Sequence, residues 1–84
     1  MRVGFSKQPN PVALPEHFLW TLQKGARVVE ARTRMTPIGP ELRIYHNGEL
    51  LWSQVPRDGR EVGELAEQER RDYEARGYGG DVTQ

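Results

Sequence analysis

Arg43, Tyr45, Leu50 and Trp52 flank the dipeptide Asn47-Gly48, and the chemistry they offer is recognition, not bond-making. Asn-Gly is the preferred filling of a two-residue type I′ hairpin loop, because both central residues must adopt positive φ. Counting outward pairs His46 with Glu49, Tyr45 with Leu50, Ile44 with Leu51, Arg43 with Trp52 and Leu42 with Ser53. In that register one face of the hairpin carries Leu42, Ile44, Leu51 and Val55, and the other carries Arg43, Tyr45, Leu50 and Trp52. A guanidinium opposite an indole can stack as a cation–π pair worth about 0.5–1 kcal/mol when exposed. Arginine and aromatic enrichment marks the centres of protein interfaces. It also marks platforms on which single-stranded bases stack above a basic groove, a role to which Arg32 and Arg34 would contribute nucleic-acid contacts.

Other chemistries lack their residues. There is no cysteine, no Gly-x-Ser-x-Gly elbow and no glycine-rich loop opening a helix, so neither a nucleophile nor a phosphate cradle is in view. His17 and His46 are the only imidazoles and would lie at opposite ends of a sheet, short of the three or four converging ligands a transition metal needs. The reading is therefore of a protein that is not an enzyme and carries no metal and no cofactor. Twelve Lys and Arg against twelve Asp and Glu give a formal charge of zero, which removes the simplest argument for general nucleic-acid binding. The charges are uneven: Arg27, Arg32, Arg34 and Arg43 lie in the middle, while Glu61, Glu64, Glu67, Glu69, Asp72 and Glu74 crowd the C-terminal third.

The elements that must position the recognition residues follow from periodicity. Residues Met1 to Glu16, with Pro9, Pro11 and Pro15, read as an extended or disordered arm. From His17 the apolar residues alternate with period two: Phe18, Trp20 and Leu22, a turn at Lys24-Gly25, then Val29, Ala31, Thr33 and Met35. A two-residue loop at Lys24-Gly25 pairs Leu22 with Arg27, Trp20 with Val29 and Phe18 with Ala31. Thr36-Pro37-Ile38-Gly39-Pro40 reads as a loop without ladder pairing, because two prolines lie within it. Asp58 with Glu61 forms a capping-box signal. Val62, Leu65, Ala66 and Tyr73 then keep helical spacing, Glu67 and Arg71 form an i, i+4 pair, and Gly77 supplies a left-handed stop, predicting a helix from about Gly59 to Arg76.

The fold class is α+β: a four-stranded antiparallel β-meander followed by one C-terminal helix packed on one sheet face, in strand order matching chain order. The domain spans residues 17–77, between the arm at 1–16 and a flexible tail at 78–84. The core face is predicted to hold Phe18, Trp20, Leu22, Val29, Ala31, Met35, Leu42, Ile44, Leu51 and Val55. The order β-β-β-β-α is similar to that of dimeric single-stranded nucleic-acid binders of the Whirly type, a likeness of layout. A chain of 84 residues barely offsets its ordering entropy with one core, so a second subunit would help. No apolar run reaches the roughly 18 residues of a spanning helix and no signal-peptide segment is visible, which predicts a cytoplasmic protein without membrane contact. The expected function is a small protein-interaction module, self-associating as a homodimer through the exposed sheet face. The alternative is single-stranded DNA or RNA binding by the same face.

Overall fold

A computed structural model describes residues 15–80 of the chain. Four antiparallel strands, β1 (His17–Lys24), β2 (Arg27–Thr36), β3 (Gly39–His46) and β4 (Glu49–Gln54), lie in the order β1-β2-β3-β4 and are followed by α1 (Glu61–Ala75). The expected meander and helix are both present. The arm predicted at Met1–Glu16 falls outside the described residues except for Pro15 and Glu16.

Each turn has a local cause. Asn47 and Gly48 both take positive φ, 51° and 86°, as a type I′ turn requires. Asn47 also ties its turn to β2: its N–H donates to the Val28 carbonyl and its Oδ1 accepts from the Val28 N–H, both at 2.8 Å. The first hairpin turns at Gly25-Ala26, one residue later than predicted, so Leu22 faces Val29 and Trp20 faces Ala31. The stretch predicted as an unpaired loop is instead a tight hairpin, with Thr36 opposite Gly39 and Met35 opposite Pro40. Proline is accommodated twice there. Pro37 takes a turn position that suits its fixed φ, and Pro40 sits one pair from the turn, where β4 has already ended at Gln54 and no acceptor waits for an N–H.

Two bulges decide which residues face the helix. In β1 the register shifts between Phe18, opposite Arg32, and Trp20, opposite Ala31, leaving Leu19 as the extra residue. In β4 Tyr45 faces Leu50 while Ile44 faces Trp52, leaving Leu51 extra. Since side chains alternate with period two, one inserted residue moves everything beyond it to the other face. Phe18, expected in the core, is therefore on the outer face and 45% exposed. Trp52, expected outside opposite Arg43, is on the inner face opposite Ile44, half-buried against the core. Leu51 and Met35, also expected inside, are exposed.

The inner face carries Trp20, Leu22, Val29, Ala31, Leu42 and Ile44, sealed by Ala66, Tyr73 and Tyr78. Helix α1 lies on β1 and β3. One directional bond fixes it: the Trp20 indole N–H donates to the Ala66 carbonyl at 3.0 Å, which keeps a buried donor satisfied. Ahead of its start the Asp58 N–H donates to Glu61 Oε1 at 3.3 Å and Asp58 Oδ1 accepts from the Arg60 N–H at 2.9 Å, so only the glutamate half of the expected capping box forms, and the helix opens at Glu61 with Arg60 at the N-cap and no side-chain cap, two residues later than expected. At its end the Gly77 N–H reaches the Glu74 carbonyl and the Tyr78 N–H the Tyr73 carbonyl, a Schellman closure with Gly77 at φ 99°. Tyr78 folds back edge-on to Tyr73, ring centroids 5.2 Å apart, and the Gln23–Gly79 bridge follows. The tail expected to begin at Tyr78 therefore opens with a core residue. Among the described residues no helix is long and apolar enough to cross a membrane.

Candidate interaction surface

Strands β2 and β3 present Glu30, Arg32 and Arg34 beside Glu41, Arg43 and Tyr45 on the face opposite α1, because these positions alternate with the buried Val29, Ala31, Leu42 and Ile44. The cross-strand pairs are Glu30 with Tyr45, Arg32 with Arg43, and Arg34 with Glu41. Two arginines directly opposite one another repel unless anions intervene. Three carboxylates do so. Arg32 Nε meets Glu30 Oε2 at 2.7 Å and its terminal nitrogen meets Glu16 Oε1 at 2.8 Å. Arg43 Nε meets Glu16 Oε2 at 3.0 Å and its terminal nitrogen meets Glu41 Oε1 at 3.1 Å, while Arg34 Nε reaches the same Glu41 oxygen at 2.6 Å.

Tyr45 sits at the centre of this network. Its hydroxyl donates to Glu16 Oε2 at 2.6 Å and accepts from Arg43 Nε at 3.0 Å. The Arg32 guanidinium stacks 4.8 Å above its ring and that of Arg43 lies 5.7 Å away. The Tyr45 hydrogen bond, followed by that of Arg32 and the positive charges of Arg32 and Arg43, holds the Glu16 carboxyl below the usual range against the opposing effect of burial. Burial pushes the Glu41 carboxyl up, but hydrogen bonds from Arg34, Arg43 and Ser53 outweigh it and the net shift is downward.

Of the predicted contact residues, Arg43, Tyr45 and Leu50 share the outer face with Arg32 and Arg34, and Leu50 stands opposite Tyr45. Trp52 does not join them: the Leu51 bulge turns its indole to the helix side, so the predicted Arg43–Trp52 stack is replaced by stacking of Arg32 and Arg43 on Tyr45. The exposed apolar border consists of Phe18 and Leu50. Sequence reasoning assigned none of the three glutamates to the site. Glu30 and Glu41 were legible as i, i+2 neighbours of Arg32 and Arg43, which share a strand face; Glu16, in the arm, carried no such signal.

Both edge strands carry their bulge at a leucine, and a bulge spoils an edge as a template for further strand pairing. The face, more than the edges, is thus available for contact. A cleft of about 610 Å³ lies at the far end of β2, walled by Pro15, His17, Met35, Pro37 and Pro40 and bordered by Arg34. No three His, Cys, Asp or Glu side chains among the described residues are grouped to hold a metal ion. Comparison with family models, curated proteins and solved structures finds no match to this chain.

Proposed function

We propose that this chain is a non-enzymatic protein-interaction module that docks a protein surface, a second copy of itself first of all, on the outer face of its sheet. The observation that carries the reading is the composition of that face: a half-dehydrated, charge-balanced centre in which Arg32, Arg34 and Arg43 meet Glu16, Glu30 and Glu41 around Tyr45, bordered by exposed Phe18 and Leu50 and left bare by α1. Apolar borders supply non-directional attraction, and a centre with equal numbers of each charge is compatible with a copy of itself. The pairing of every arginine on the face with a carboxylate favours a protein occupant over single-stranded nucleic acid, whose affinity draws on unpaired positive charge. The working compartment in this reading is the cytoplasm, where a chain without cysteine forgoes no disulfide.

Sedimentation equilibrium on the wild type and on Leu50→Asp, across about 50 to 200 mM salt, tests the reading. The wild type is expected to exceed monomer mass with little salt dependence, and the variant to be monomeric with unchanged circular dichroism. A monomeric wild type indistinguishable from Leu50→Asp overturns self-association. Tight, steeply salt-dependent binding of a labelled single-stranded oligonucleotide would replace the protein occupant with nucleic acid.

A further inference from the structure

The geometry points to Arg32, Arg43 and Tyr45 as a carboxylate-binding site for an acidic segment of a protein partner, with Glu16 as the chain's own exchangeable occupant. This rests on the outer face being a docking surface. Glu16 stands one position before β1 and outside the ladder, which begins with His17 opposite Thr33. Its carboxylate is nevertheless gripped from three sides, by Arg32 on Oε1 at 2.8 Å and by the Tyr45 hydroxyl and Arg43 Nε on Oε2 at 2.6 and 3.0 Å.

The gripping groups do not need Glu16 for their placement. Arg32 is oriented by Glu30 and Arg43 by Glu41, each a carboxylate two residues back on the same strand. Stacking of both guanidinium groups on Tyr45 adds to that. Two arginines and a phenol fixed in this way form a fork suited to a carboxylate, which accepts several charge-assisted bonds in one plane.

Charge defines the ligand further. Without Glu16, Arg32, Arg34 and Arg43 face only Glu30 and Glu41, so one positive charge is unmatched. A single carboxylate restores the balance. A phosphate dianion would add a second negative charge beside Glu30 and Glu41, which repel it. The apolar borders at Phe18 and Leu50 give the segment carrying that carboxylate a surface to lie on. Being tethered, Glu16 competes at an effective concentration on the order of millimolar, so it weakens any incoming ligand by the fraction of time it holds the site.

The test uses a fluorescein-labelled hexaglutamate peptide, with hexaglutamine as control, and anisotropy measured on the full-length wild type, Glu16→Ala, Glu16→Gln and Glu16→Ala/Arg43→Gln. Circular dichroism identifies which variants are folded, and Glu16→Gln, which keeps the side-chain volume, serves if Glu16→Ala is not. Freeing the site is expected to tighten hexaglutamate binding by at least about tenfold over wild type. Adding Arg43→Gln abolishes the gain, and hexaglutamine does not bind. Absence of binding to both folded Glu16 variants, binding that survives Arg43→Gln, or an oligothymidylate of equal length competing at lower concentration would overturn the proposal. Self-association is read on Leu50→Asp, so failure here with association intact removes the carboxylate site alone.

Discussion

On the inner face of the sheet, Val29, Ala31, Leu42 and Ile44 are wholly withdrawn from water beneath α1, whereas one residue along the same strands Glu30, Arg32, Arg43 and Tyr45 stay partly wet and bind one another. Neighbouring positions of one backbone thus use two kinds of energy. The inner face relies on apolar burial, about 1.5–3 kcal/mol per fully buried Val, Leu or Ile, which is indifferent to direction. The outer face relies on charge-assisted hydrogen bonds whose net worth is small but whose geometry is specific. A face held by burial makes the fold. A face held by ion pairs keeps polar groups at the surface, which is the property the proposed docking draws on.

The sharpest way to break this contrast is to truncate one residue of each kind. Ile44→Ala, at the centre of the inner face, is expected to lose about 2–5 kcal/mol in urea denaturation. A loss under about 1 kcal/mol would mean that the core does not lie under α1. The two halves of the β4 bulge come next. Trp52→Ala, half-buried against the core, is expected to lose about 2–3 kcal/mol, below the range for a fully buried tryptophan. Its exposed neighbour is expected to behave oppositely, Leu51→Ala changing stability by less than about 0.5 kcal/mol. If those two values exchange places, the bulge is absent.

On the outer face the expected effects are smaller. Tyr45→Phe removes a hydroxyl that both donates to Glu16 and accepts from Arg43, and is expected to cost about 0.5–1.5 kcal/mol. Acid titration reads the same network through linkage. The carboxyls of Glu16 and Glu41 titrate lower in the folded chain than in the unfolded one, so their stabilisation is complete above the ordinary value of 4.5 and is lost as pH falls through the folded values. Burial, with Asp72 nearby, raises the Glu69 carboxyl, so this residue contributes the opposite slope in a separate window above 4.5, favouring the fold as pH falls from the raised folded value towards 4.5. Equilibrium denaturation between pH 5 and pH 2 is therefore expected to show an acid loss that is smaller in Glu16→Gln than in wild type.

Much of the fold was legible because its signals are local. Asn47-Gly48 fixed a turn, Asp58 and Glu61 marked the approach to the helix to within two residues, and Gly77 closed it, each through backbone chemistry contained within a few residues. The faces were only half legible because bulges are not local in the same sense. Leu19 and Leu51 leave no turn residue or glycine to mark them. The one retrospective sign is that Phe18-Leu19-Trp20 and Leu50-Leu51-Trp52 are runs of three large apolar residues that interrupt period two in the edge strands. Hydrophobicity cannot say which member of such a run is the extra one; packing against α1 decides it, drawing the indoles of Trp20 and Trp52 inward. In the candidate site Arg32, Arg43 and Tyr45 were legible from composition. Glu16 was not, because its partners lie 16 and 29 residues away in sequence.

Proton–proton contacts from the Trp52 indole, measured by nuclear Overhauser spectroscopy, test most directly the exchange of faces on which the open outer surface depends. Contacts to the Ile44 side chain with none to the Tyr45 ring are the predicted result. Contacts to the Tyr45 ring and the Arg43 methylenes, with none to Ile44, would contradict it and return the indole to the outer face.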